Sequence, residues 1–246
     1  MDNKYKEKIV IKYSETDQNL ALKPYALLNF LQDIASKNAE DKGFGYSYIY
    51  PRNYAWFLIK YRMEFIDYPF DIQELTLTTE PRGYNKIFAY RDFELKKGDN
   101  VIGRMSSQWS IVDINTRSMA NVGEALSGNE NMPVYIKRKD DLSFDKIPAI
   151  TEPDITKEFT VRYNDLDVNG HANNGNYVVW GFEPLSYEFR TSHKIKILDM
   201  LFKKEAKFGD KLISQVKFAD DKTTIHRMTN SSGDDLCLIK CIWDEI

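Results

Sequence analysis

Three things are scarce in this sequence: long apolar runs, cysteine and histidine. No apolar run in its 246 residues approaches the ~18 needed to span a membrane. The opening MDNKYKEK has neither an apolar signal core nor the Arg/Ser-rich character of a transit segment. These absences read as a soluble, cytoplasmic protein with no membrane partner. Cysteine occurs twice, as Cys237 and Cys241 in DLCLIKCIW. On a strand the two thiols share a face and lie too far apart to bond each other. So few thiols in a chain this long suit a reducing compartment. Excess charge of one sign is also missing. The formal net charge is −3, which argues against a dedicated nucleic-acid binder.

What is present is enough for two small domains with a real core. Hydrophobic residues make up 42 % and charged residues 29 %, the balance of an ordinary globular protein. The chain also contains a weak copy of itself. Residues 9–20 read IVIKYSETDQNL and residues 159–170 read FTVRYNDLDVNG. At a constant offset of 150 positions, Tyr13 matches Tyr163, Asp17 matches Asp167 and Asn19 matches Asn169. Lys12 and Arg162 keep a positive charge, and Phe30 falls against Trp180. The copies then part, with Ala21 in the first where His171 stands in the second. An internal repeat implies two similar structural units. Loss of a titratable base from one copy implies one active half and one half freed for another task.

Each copy reads as strand, helix, then several antiparallel strands. In the first, a strand over roughly 7–13 precedes Pro24, a good first helical residue. Leu27, Leu28, Leu31, Ile34 and Ala35 recur at helical spacing, and Gly43 and Gly45 end the helix. Four alternating β-rich runs follow, with KKGDN as a hairpin turn. Residues 128–157, with Pro133, Pro148, Pro153 and the run IKRKDD, form the expected linker between a unit at 1–127 and a unit at 158–246. The second unit repeats the plan. Its helix starts near Asn174 and is broken by Pro184, and its strands fall near 194–206, 211–219, 222–229 and 235–244. One helix on an antiparallel sheet, twice over, is an α+β layer arrangement.

The polar stretch RYNDLDVNGHANNGNYVVW places Asp167, Asn169, His171, Asn173 and Asn174 just before the second helix. Asn is a strong N-cap, and a helix start offers unpaired N–H groups to a carbonyl gaining negative charge. A histidine beside it can move protons near neutral pH. Asp167 could orient the imidazole or raise its basicity, and Asn169 could fix a substrate carbonyl or a water. Asx-rich turns are also common purely as caps. With one histidine and no cysteine nearby, this is a poor metal-ligand set. His193 and His226 lack such surroundings and read as structural or exposed.

The series Arg162, Asp165, Leu166, Asp167, Asn169, His171, Asn173, Asn174, Tyr177 and Trp180 resembles the signature of acyl-acyl-carrier-protein thioesterases, plant and bacterial fatty-acyl hydrolases with a double hotdog fold. WFLIKYRMEFIDYP at 56–69, Thr76–Thr79 and SSQWSIVDINTRSM at 106–119 fall in family order, so the resemblance covers nearly the whole chain. It implies a tandem double hotdog, each unit a long helix packed on an antiparallel sheet. It maps Glu205, in FKKEA, onto the family's general base. At the next position Ala206 replaces a cysteine once proposed as nucleophile, which favours attack by water. It also implies a catalytic C-terminal unit built on Asp167, Asn169, His171 and Glu205, with Asn173 and Asn174 binding substrate. The N-terminal unit would bind the acyl chain, with Trp56, Phe57, Leu58, Leu27 and Leu31 as candidate walls. In that unit Tyr68 stands near the position of Glu205.

The implied reaction needs no cofactor, because a thioester is already an activated acyl group. The implied partner is an acyl carrier protein bearing a fatty acyl chain. Its docking groups are expected among Lys194, Lys196, Lys203, Lys204 and Lys207, or Lys137, Arg138 and Lys139. A chain holding both hotdog units has no need to dimerise, so monomer and homodimer both remain open. Three other functions remain open at this point: an acyl-CoA thioesterase, a hotdog dehydratase acting on 3-hydroxyacyl thioesters, and a non-catalytic acyl-thioester binding module.

Overall fold

The computed structural model describes residues 4–246, so the first three residues of the MDNKYKEK opening lie outside it. The first unit runs β1 (Tyr5–Val10), a 3-10 turn (Tyr13–Glu15), α1 (Pro24–Asp41), a short α2 (Tyr46–Ile49), β2 (Tyr54–Phe65), β3 (Glu74–Tyr84), β4 (Phe88–Lys97), β5 (Asn100–Asp113) and one turn of helix, α3 (Val122–Ala125). The second runs β6 (Ile155–Thr160), a 3-10 turn (Tyr163–Asp165), α4 (Asn174–Phe182), α5 (Tyr187–Ser192), β7 (His193–Phe202), β8 (Lys211–Asp220), β9 (Thr223–Asn230) and β10 (Asp235–Glu245). All ten strands form one antiparallel sheet in the order β1-β3-β4-β5-β2-β7-β10-β9-β8-β6. Reading outward from the centre, each half has the same strand order. The repeat seen in two short segments therefore extends strand for strand.

The helices follow their local signals. Pro24 is the first residue of α1, and Leu27, Leu28, Leu31, Ile34 and Ala35 are its buried face. Burying a leucine this fully contributes about 1.5–3 kcal/mol. Gly43, at φ +75°, ends the helix, with the Phe44 N–H on Ala39 O and the Gly43 N–H on Glu40 O. A left-handed residue followed by this pair of bonds is the Schellman stop, and glycine adopts it without a Cβ penalty. The second unit departs from the expected long helix. Its α4 is nine residues long and stops before Pro184, and α5 starts afresh under a Ser186 cap that accepts the Phe189 N–H. The first strand also sits earlier than expected, at Tyr5–Val10 rather than 7–13.

Both helices pack on one face of the sheet and meet each other. Asn174 Nδ2 donates to Gln32 Oε1 at 2.9 Å, and Gly175 lets the Tyr25 ring approach closely. The main core lies between this face and α1 and α4. A bulge in β2 between Leu58 and Lys60 keeps that face apolar, with Trp56 and Leu58 before it and Tyr61, Met63 and Phe65 after it. The opposite face carries the linker. Phe144 lies under the Lys60 ammonium, Asp145 contacts Arg62 at 3.1 Å, and Asp141 pairs with the buried Arg82. The segment expected to separate the units is therefore a strap across both, and β6 begins at Ile155, inside its expected span.

The halves join where β2 pairs with β7. β2 and β7 end at Phe65 and Phe202, 137 positions apart, as are Arg62 and Asp199. Arg62 and Asp199 are also direct cross-strand partners. An approximate two-fold axis relating the halves thus passes through this pair, whose Nη1–Oδ2 distance is 2.8 Å.

Deeper in the second unit, His226 is wholly buried in a polar chain. Trp243 Nε1–H donates to Thr224 Oγ1, Thr224 O–H donates to His226 Nε2, and His226 Nδ1–H donates to the Gly181 carbonyl at 2.7 Å. A carbonyl can only accept, which places a proton on Nδ1, and burial keeps the imidazole neutral, so Nε2 accepts. Burial lowers its pKa to about 4, against the opposing pull of the Gly181 carbonyl. The depressed value means that stability present above the unfolded pKa is lost as pH falls. From pH 7 to pH 5 the loss due to this group is about 2 kcal/mol. His226→Leu should have a lower thermal midpoint at pH 7 and a smaller further fall at pH 5 than the parent. Equal falls in both would show that His226 does not carry this pH dependence.

Candidate active site

The two repeat segments form nearly identical loops. In the first, the Asp17 carboxylate accepts the Asn19 N–H at 2.8 Å and the Ala21 N–H at 2.9 Å. In the second, Asp167 accepts the Asn169 N–H at 2.8 Å and the His171 N–H at 3.2 Å. The Asp17 N–H bonds Ala21 O, and the Asp167 N–H bonds His171 O. One position in each loop has positive φ: Leu20 at +61° and Gly170 at +76°. Only the second loop has the residue that accepts this conformation without strain.

These bonds correct one expectation. The Asp167 carboxylate holds the loop backbone, including the His171 N–H, while the imidazole ring pairs with Glu205. Asp17 does the same work in the copy that has no histidine. The loop is fixed further by Asp165, 2 % exposed, which takes bonds from the backbone N–H, Nε and Nη2 of Arg162. Burial pushes the Asp165 carboxyl up, but the Arg162 bonds outweigh it and hold it below its ordinary value.

The partner of the imidazole is Glu205. His171 Nε2 lies 3.3 Å from Glu205 Oε2, with the two side chains 29 % and 46 % exposed. Glu205 was expected on a strand reaching 206, but β7 stops at Phe202. Beyond it the N–H groups of Lys203 and Lys204 turn to Leu236 O, and the Ala172 N–H bonds Ala206 O at 2.8 Å. In the first unit the Leu22 N–H bonds Pro69 O in the same way. Tyr68 therefore occupies the place of Glu205, and its hydroxyl donates to Leu22 O at 2.6 Å.

The other expected residues divide. Asn169 is exposed at the loop tip, near the backbone of His171. Asn173 caps α4 by accepting the Gly175 N–H at 2.7 Å, and Asn174 is engaged by Gln32. Leu27, Leu31 and Leu58 lie in the main core. Trp56 packs in a smaller cluster and donates to Phe44 O. Phe57 points to the other face, because successive strand residues alternate. Trp56, Phe57 and Leu58 therefore do not form one wall. The expected basic patches are largely neutralised. Lys203 pairs with Asp235, Lys204 with Asp234, Lys196 with Asp244 and Arg138 with Glu80. Lys194 lies over the Phe70 ring, while Lys137 and Lys139 are exposed. His193 is stacked on Phe189, so neither it nor His226 joins the site.

One residue of the motif was given no role in the site. Tyr177, buried in α4, has its hydroxyl 3.4 Å from Lys204 O and 3.0 Å from the Ala206 N–H. The signal was available in the repeat, where an offset of 150 sets Tyr177 against Leu27. Among the described residues, no group of three or more His, Cys, Asp or Glu side chains is placed to hold a metal, and no helix is long and apolar enough to cross a membrane.

Two family models match the chain. Residues 2–128 match the acyl-ACP thioesterase N-terminal domain, and residues 149–245 match the acyl-ACP thioesterase C-terminal domain. Oleoyl-acyl carrier protein thioesterase 2, chloroplastic, of Arabidopsis thaliana is 23% identical over 245 residues, covering 93% of this chain and 67% of that protein. The chain spans 61% to 67% of the length of this and two similar plant relatives. Among solved structures, an acyl-ACP thioesterase from Bacteroides thetaiotaomicron has a TM-score of 0.88 at 23% identity, covering 99% of this chain and 98% of that one. The 12:0-ACP thioesterase from Umbellularia californica has a TM-score of 0.88 at 19% identity, covering 100% and 99%. At these identities the structural likeness is one of fold.

Cys237 and Cys241 are fully buried, unpaired and on the inward face of β10. Burial pushes both thiols well above their ordinary range, which leaves almost no thiolate to react. Under native conditions neither should be alkylated by iodoacetamide, while both should be alkylated in denaturant. Rapid labelling of either in the folded protein would refute this.

Proposed function

We propose the following activity for this chain, which belongs to the acyl-ACP thioesterase family: it hydrolyses the thioester of a fatty acyl-acyl carrier protein and releases the free fatty acid. The chain is a thioester hydrolase with the family's fold, two hotdog units in tandem. The observation that carries the mechanism is the 3.3 Å contact between His171 and Glu205, two residues 34 apart in sequence, in the half that keeps both. Their counterparts Ala21 and Tyr68 can neither accept nor relay a proton as a His–carboxylate pair does.

Glu205 takes a proton from water as its oxygen attacks the thioester carbonyl carbon. The carbonyl oxygen gains charge, stabilised by the Asn169 amide and the positive N-terminal end of α4. The C–S bond then breaks, and the leaving sulfur is protonated through His171. The products are a carboxylic acid and the free carrier thiol, so one water is consumed and no group stays on the enzyme. Asp167 holds the loop that presents His171 and Asn169. Ala206 beside Glu205 leaves no thiol at the site, which supports direct attack by water.

The division of labour follows the repeat, with catalysis in the C-terminal unit and acyl-chain binding in the N-terminal unit. Free thiols fit a reducing compartment such as the cytoplasm. The ion pairs on Lys196, Lys203 and Lys204 leave Lys207, among the described residues, as the cation closest in sequence to Glu205 without an ion pair, for contact with an acidic carrier.

His171→Ala and Glu205→Gln should each lower kcat by about 10²-fold or more on acyl-carrier-protein substrate. Thermal midpoints should change little, because both side chains are partly exposed. Parallel assays with acyl-CoA and 3-hydroxyacyl thioesters assign the substrate. Faster turnover of acyl-CoA than of acyl carrier protein would transfer the activity to a CoA thioesterase. Dehydration without hydrolysis, or near-parental turnover in either variant, would overturn the mechanism.

A further inference from the structure

We propose that Tyr177 is a positioning residue that sets the place of Glu205 through the peptide groups on either side of it. This rests on the reading of Glu205 as the base. The Tyr177 hydroxyl reaches Lys204 O, one residue before Glu205, and accepts the Ala206 N–H, one residue after it. One oxygen atom thus brackets the residue whose carboxylate must meet His171. Neighbouring bonds leave the segment little other freedom. Ala206 O accepts the Ala172 N–H, and the Lys203 N–H is held by Leu236 O.

The tyrosine itself is fixed. Its ring meets Trp180 edge-on at 5.4 Å and Phe202 edge-on at 5.7 Å, and the residue is 2 % exposed. A phenol hydroxyl this deep is costly unless hydrogen-bonded, and both of its bonds go to the Glu205 segment. Tyr177 also stands on α4, whose start is tied to the His171 loop through the Asn173 N–H and Asn176 Nδ2, both on Asp165 O. One helix therefore carries the histidine loop at its start and the glutamate segment one turn later.

The other half of the chain is an internal control. At the position of Tyr177 the first unit has Leu27, a core residue with no polar atom beyond its backbone. Where Glu205 stands it has Tyr68, whose own hydroxyl bonds Leu22 O. The clamp is absent from the half that lacks the acid–base pair, although the surrounding backbone is the same. A purely structural hydroxyl would be equally useful in both halves.

The test is a double-mutant cycle on the full chain with acyl-carrier-protein substrate. Tyr177→Phe keeps the ring and removes the hydroxyl. It should lower kcat by about tenfold or more and leave KM within about twofold, since substrate binding does not use this group. The pH profile of kcat should shift, because the Glu205–His171 contact loosens. In a Glu205→Gln background, Tyr177→Phe should cause almost no further loss. Replacing Tyr177 by 3,5-difluorotyrosine, which keeps the ring and the hydroxyl, should give a folded enzyme with kcat near that of the parent. Unchanged kcat and pH profile in Tyr177→Phe would overturn the proposal. So would the same fold-loss in the parent and Glu205→Gln backgrounds, or a difluorotyrosine enzyme as slow as Tyr177→Phe. Near-parental activity of Glu205→Gln alone would instead remove the base assignment, and this proposal with it.

Discussion

The pairing of Arg62 with Asp199 across the centre of the sheet is the contact on which the two-unit arrangement depends. It joins two five-stranded halves into ten strands and lies on the axis that relates them. In a symmetric pair of identical units, a residue on such an axis faces its own copy, and a charge there faces like charge. Two diverged copies in one chain can place opposite charges instead. Burial pushes the Asp199 carboxyl up to about 6 even against the opposing effect of Arg62, and its second oxygen has no hydrogen-bond partner. Such a pair adds little net stability. Its value lies in specificity, because pairing either half with itself would bury two like charges. The linker adds to this selection, since Asp145 reaches both Arg62 and Lys240 from the far face.

Once the halves are held together, they can diverge on a shared backbone. Asp17 and Asp167 shape the same loop, but the loops have opposite fates. In the second unit the loop is open, with Asn169 exposed and His171 facing Glu205. In the first it is docked, with Asn19 Nδ2 donating to Thr191 O and Gln18 accepting from the Tyr187 hydroxyl. Both partners lie on α5 of the other unit. A loop that is open in one half is an interface between units in the other. Leu20 keeps its positive φ there, with its carbonyl accepting the Asp71 N–H.

Local signals were legible in the sequence and non-local ones were not. Pro24, Gly43, Pro184 and the KKGDN turn act through their own backbone, so their effects could be read directly. His171 and Glu205 could be named through family resemblance, and Cys237 and Cys241 through strand alternation. The supposed wall of Trp56, Phe57 and Leu58 failed because three consecutive strand residues cannot share a face. The role given to Asp167 failed because composition does not show whether a carboxylate serves a side chain or the backbone beneath it. Lys203, Lys204 and Lys196 looked like a basic patch until the fold brought up Asp235, Asp234 and Asp244. These three ion pairs depend on contacts between segments distant in sequence, which no short window contains. Tyr177 is the instructive case, since its contrast with Leu27 was visible in the repeat but had no meaning until the Glu205 segment lay beside it.

The short α4 explains how one broken helix can serve both halves. An uninterrupted helix of the length of α1 would continue past Phe182 along the sheet. Pro184 stops it, and the Ser186 cap redirects the chain into α5. What remains of α4 is enough to hold the site, with Asn173 at its start and Tyr177 and Trp180 on its buried side. The redirected piece covers the loop of the other unit through Tyr187 and Thr191. The break that opens room around one copy therefore closes the other, and the asymmetry between the two loops has a cause in the backbone as well as in the exchange of His171 for Ala21.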